Sequence, residues 1–142
     1  MAPRESIYAA LFQLVSSVPG IVTASRRWRS WDDVAAADSP ALFQVQAGES
    51  VVQAPNAPAK HELRVSLYLY ARVDQANDAV PTMVLNPIID GIEAALQPDA
   101  IHARQTLGGL VNHCRIDGDI QTDEGVLGAV AAAIIPIQIL VP

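Results

Sequence analysis

A single cysteine, a single lysine and only 17% charged residues leave this 142-residue chain short of several kinds of chemistry. Cys114 cannot close an internal disulfide, so the fold must stand on its core, as suits a reducing compartment. Lys60 is the one lysine, and no glycine-rich loop leads from a strand into a helix, so no phosphate cradle is legible. No window reaches about 18 uninterrupted apolar residues. The apolar run 126–141 is broken by Gly128, Pro136 and Gln138. The opening stretch carries Glu5, Ser6 and Gln13 where a secretory leader would be purely apolar, so neither a leader nor a membrane span is expected. Basic charge is also scarce: nine basic residues against fifteen acidic give a formal charge of −6. An acidic surface repels phosphate, which argues against wrapping on nucleic acid.

What the chain does have is apolar material, 51% of its residues. At this length a single domain over 1–142 is expected, burying roughly two thirds of the surface of the unfolded chain. Pro3 suits a first helical turn. Ile7, Tyr8, Leu11, Phe12, Leu14, Val15 and Val18 then recur at three- and four-residue spacing until Pro19-Gly20. From 21 to 28 the β-branched Ile21, Val22 and Thr23 favour a strand, which ends in an arginine and tryptophan cluster. An irregular crossing leads to a short strand at 41–47. The prolines and small residues of 48–59 read as an exposed, mobile loop.

The plainest strand is 60–74. Leu63, Val65, Leu67, Leu69, Ala71 and Val73 share one face, and Arg64, Ser66, Tyr68, Tyr70 and Arg72 share the other. A turn is expected at 74–79. A helix then runs from about Asn86, which places Pro87 in its first turn, and stops before Pro98. After a loop at 101–110 with Gly108-Gly109 as its turn, strands are expected at 111–120 and 129–141, joined across 121–128. The expected architecture is α+β in the order α-β-β-β-α-β-β: an antiparallel sheet of about five strands with two helices on one face.

Candidate chemistry is thin. His113 and Cys114 are neighbours on a strand and point to opposite faces, while His61 and His102 sit in different elements, so zinc-ligand spacing is missing. The acidic stretch 117–125 has a calcium-loop look. Its sixth and twelfth positions are Thr122 and Gly128, however, where an EF-hand needs glycine and a carboxylate, and a solvated hairpin tip is the better reading. Asp32 and Asp33 are an acid pair on a loop, where such residues cap backbone N–H groups. No G-x-S-x-G elbow is present. No catalytic residue, no metal and no cofactor is expected.

The strongest local feature is Arg26, Arg27, Trp28 and Arg29 with Trp31 close behind. Arginine interleaved with tryptophan can stack on single-stranded nucleic acid. On an acidic chain the same residues suit an interface with another protein, where both types are enriched. Tyr68, Tyr70 and Arg72 on the outer strand face belong to the same expected contact surface.

Taken together, several segments resemble a known family. They are the helix 4–12, the arginine-rich strand leading to Trp31-Asp32-Asp33-Val34, and Pro40-Ala41-Leu42-Phe43. Leu67-Tyr68-Leu69-Tyr70, the helix opening Asn86-Pro87-Ile88-Ile89-Asp90 and the closing strand 134–141 complete the set. Over nearly its whole length the chain resembles the tail terminator and tail-completion proteins of tailed phages, of the lambda minor-tail-protein-U kind. These are packing motifs. The resemblance implies a virion protein made in the host cytoplasm. It would form a ring of six copies at the head-proximal end of the tail, end growth of the tail tube and meet the head connector. DNA would pass through its lumen without specific binding. A neck or head-tail adaptor role remains open beside it, as does a small oligomeric cytoplasmic enzyme or ligand-binding domain.

Overall fold

The structure is a computed structural model that describes residues 1–74, 78–126 and 128–142. Helix α1 (Arg4–Ser16) follows Pro3 and buries Ile7, Tyr8, Leu11 and Val15 of the expected stripe, while Phe12 and Leu14 are half-buried. A three-residue strand β1 (Thr23–Ser25) comes next, then two single 3-10 turns, Trp31–Asp33 and Ala36–Asp38. Strands β2 (Ala41–Val52) and β3 (Lys60–Arg72) form a long hairpin. Helix α2 (Thr82–Ala95) precedes β4 (His113–Ile116), β5 (Gln121–Glu124) and β6 (Val130–Val141).

The six strands make one mixed sheet in the order β1-β2-β3-β6-β4, with β5 also on β6. The α+β class holds. Two features of the expected sheet do not. First, it is not purely antiparallel, because β1 pairs with β2 in parallel, Thr23 opposite Ala41 and Ser25 opposite Phe43. Two parallel neighbours need a connection that leaves the plane of the sheet and crosses a face. Residues 26–40 are that connection, and they shorten the strand expected at 21–28 to three residues. Second, the element order differs: six strands are roughly the five expected, but three strands and not two follow α2. The segment read as a connection at 121–128 contains β5, and the strand expected at 111–120 is only β4. Both pair with one edge of β6: β4 with Ile137 to Leu140, β5 with Ala131 to Ile134.

The handover falls at Pro136, a residue without an N–H to give. There the Asp117 N–H donates to the Pro136 carbonyl at 3.1 Å, and the chain jogs past the ring at Gly118. Gly118 has φ +116°, and a Cβ there would lie 3.3 Å from the proline ring. The acidic stretch 117–125 is therefore a jog followed by an edge strand, and not a hairpin tip.

Other boundaries moved as well. The segment expected as a loop at 48–59 is strand as far as Val52, with a register shift between Gln46 and Gly48, leaving only 53–59 as the connection. Helix α2 begins a turn earlier than expected, at Thr82, so Pro87 lies inside it. Pro87 is exposed, so water can solvate the carbonyl that lacks its usual donor. The turn expected at 74–79 falls partly on 75–77, outside the described residues.

Both helices lie on one face. Leu63, Leu67, Leu69, Ile135 and Ile139 from the two central strands pack there against Ile7, Leu11, Leu85 and Ile92, all fully buried. Gly91 of α2 admits Val18, two residues past the end of α1. A side-chain hydrogen bond from Thr82 to Glu124 ties the first turn of α2 to β5. Among the described residues no helix is long and apolar enough to cross a membrane.

Candidate functional site

The second face of the sheet is where the aromatic members of the expected interface gather. Its residues are those that alternate with the helix-side core: Ala41 and Phe43 on β2, Tyr68 and Tyr70 on β3, Ala132 and Ile134 on β6, Gln121 and Asp123 on β5. The 26–40 crossover lies over part of this face. Val34, Ala41, Phe43 and Tyr70 form a small second core there, flanked by Trp31, Tyr68 and Ala132. Apolar contact thus holds the crossover down, and the Tyr70 hydroxyl adds a hydrogen bond to the Arg29 carbonyl at 3.0 Å. Phe43 and Tyr70 pack with ring centroids 5.8 Å apart.

Beside this second core is an open pocket of about 490 Å³. Trp28, Trp31, Tyr68 and Tyr70 form its aromatic side; Gln121, Thr122, Asp123, Ala132 and Ile134 form the rest. Trp28 meets Tyr68 edge to face, centroids 6.0 Å apart, yet remains 49% exposed. Burial raises the Tyr70 hydroxyl above its ordinary pKa, and a hydrogen bond with the Trp28 side chain opposes this in part. Oδ1 of Asp123 is buried and has no hydrogen-bond partner among the described residues.

The eight residues expected at a subunit contact do not form one patch. Trp28, Trp31, Tyr68 and Tyr70 come together in the pocket wall. Arg26 turns away to the helix side and forms an ion pair with Glu5 of α1. Arg29 lies over the Phe43 ring, its guanidinium carbon 5.4 Å from the centroid, and is 3.9 Å from Asp38. Arg72 shares the outer face and is half-buried; its backbone N–H donates to Ser39 Oγ at 2.8 Å. Arg27 is exposed. Gln121, Thr122 and Asp123 were not foreseen, because the polar run that holds them shows no alternation and joins the site only through its pairing with β6.

The groups considered for chemistry are scattered. His61 is 3.0 Å from Glu49, His102 is 2.8 Å from Asp99, and Asp32 and Asp33 are exposed on a 3-10 turn. Cys114 is fully buried on the helix side, where desolvation pushes its thiol up to about 12. Among the described residues no group of three His, Cys, Asp or Glu side chains could hold a metal ion.

Compared with protein-family models and with curated proteins, the chain matches none.

Proposed function

We propose that this protein is a non-catalytic structural subunit of a tailed-phage particle, a tail terminator whose copies close into a ring at the head-proximal end of the tail. One observation carries the reading beyond the family resemblance: the sheet offers two unlike surfaces suited to association. The first is the free edge of β2. Its strand partner β1 reaches only Phe43, so among the described residues no strand pairs with that edge along 44–52. Val51 and Val52 at its far end are 55% and 67% exposed. An unpaired edge of that length invites another chain. The second surface is the aromatic pocket with the exposed Trp28, beside which Arg27 is exposed in the chain. Contacts between two different patches are heterologous, and they close into a ring when the rotation between copies allows it. The net charge of −6 suits a lumen through which DNA slides without gaining a grip.

Light scattering on sized protein over a range of concentrations, with electron microscopy of the same samples, tests this. The expected result is a ring of six copies that builds with concentration. A monomer at all concentrations, or a closed dimer, overturns it.

A further inference from the structure

We propose that the pocket on the second sheet face is a binding site for an organic cation, an alkylated ammonium or a guanidinium head. Four aromatic side chains, Trp28, Trp31, Tyr68 and Tyr70, stand on one side of a cavity of about 490 Å³, a volume ordinary for a small-ligand site. Aromatic faces carry negative quadrupole potential and attract a cation that sheds water easily, as substituted ammonium and guanidinium groups do. Asp123 lines the other side, and its Oδ1 is buried with no donor among the described residues. That buried oxygen lacks the partner that a bound cationic head supplies. An apolar ligand would use the rings and leave the carboxylate oxygen uncompensated; a neutral sugar's hydroxyl can donate to that oxygen but brings no positive charge to the ring faces. Aromatic walls with a facing carboxylate select for the cation, and the protein's overall negative charge raises its local concentration.

The site does not rest on the assembly reading, because a cavity of this kind takes its ligand in a lone subunit. It also carries its own reporter. The chain's two tryptophans both line the pocket, so at a dilution where the protein does not self-associate their fluorescence reports a ligand entering it.

The test titrates dilute full-length protein with choline and, in parallel, with 3,3-dimethylbutan-1-ol, its uncharged isostere, at constant ionic strength. Choline is expected to give a saturable change in emission and saturation transfer to its N-methyl protons; the alcohol is expected to bind at least about tenfold more weakly. Asp123→Asn should weaken choline by about tenfold or more, and Tyr68→Leu should weaken it too. If either variant melts early, the choline-to-alcohol comparison on the parent protein still decides. Equal response to both compounds, or none to either, overturns the proposal. Adding choline to concentrated protein identifies the source of the natural cation. Dispersal of assemblies marks a side chain of a second copy, and intact assemblies with bound choline mark a free cation.

Discussion

Gly91 is the residue on which the contact between α2 and the turn after α1 depends. A Cβ there would lie 2.5 Å from Cγ1 of Val18, a short, stiff side chain with little room to yield. Alanine is the better helix former by about 1 kcal/mol, while overpacking a tight site costs about 1–3 kcal/mol. At 2.5 Å the clash wins, so Gly91→Ala should lower stability, by up to about 2 kcal/mol once the helix-propensity gain is set against the overpacking. Denaturant unfolding measures the loss, and Val18→Ala in the same background should recover part of it. A Gly91→Ala variant as stable as the parent would mean the helices shift freely. Cys114 gives a second expectation at this scale. Fully buried, with its thiol pushed up to about 12, it should resist a disulfide reagent at pH 8 in folded protein and react at once in denaturant. Rapid labelling under native conditions would place it in a segment that opens.

Among the elements, the β2–β3 hairpin has the most telling electrostatics. Glu49 of β2 accepts from Arg4 at the start of α1 (2.7 and 2.6 Å) and lies 3.0 Å from His61 of β3, so one carboxylate joins three elements. Those hydrogen bonds, Arg4 first and His61 second, hold its carboxyl down at about 2 against an ordinary 4.5. A lowered folded-state pKa means stability present above the unfolded value and lost as the pH falls towards 2. The melting temperatures of parent protein and Glu49→Gln should therefore differ above pH 4.5 and converge as the pH approaches 2. A gap that stays constant over that range would show that the charge contributes nothing.

The elements also show how much was legible in the sequence. Strand 60–74 was plain because strict alternation marks a sheet with one fully buried face, and α1 was plain because an uninterrupted apolar stripe precedes Pro19-Gly20. The far half of β2 was hidden. It projects with mostly exposed side chains, and its one apolar pair, Val51-Val52, shows no alternation to distinguish it from the proline-bearing loop beyond it. Strand β5, Gln-Thr-Asp-Glu, is held by its pairing with the neighbouring β6 and carries only Thr122 as a strand-favouring residue. In the pocket the aromatic residues were visible as a cluster and an alternating face. Asp123 was not, since only the β6 register brings it there.

On the scale of the whole molecule, one face of the sheet is sealed by helices and the other is half covered by a lid of irregular chain. Truncations should separate two kinds of damage on that lid. Arg27 is exposed, so Arg27→Ala should weaken self-association and leave the melting temperature of dilute protein within a degree or two. Trp28 touches Tyr68 and is half exposed, so Trp28→Ala should lower both, with the larger effect on association, of the order of 2 kcal/mol per contact. Sedimentation of concentrated protein beside melts of dilute protein reads the two separately. Unchanged association in both variants would remove this rim from the assembly surface.

The parallel pairing of β1 with β2 has a further consequence, for the way the protein breathes. The lid is the only covalent route between those two strands, and β1 is three residues long. Lifting the lid therefore pulls on β1, and freeing β1 loosens the lid, so the two should open as one cooperative unit below the global unfolding energy. Amide exchange should show 23–25 and the tryptophan indole protons moving with a common opening rate, faster than the β3 and β6 amides. A pocket on such a unit is gated: whatever binds between Trp28 and Asp123 would slow exchange at Thr23, Ala24 and Ser25, three residues that line no part of it.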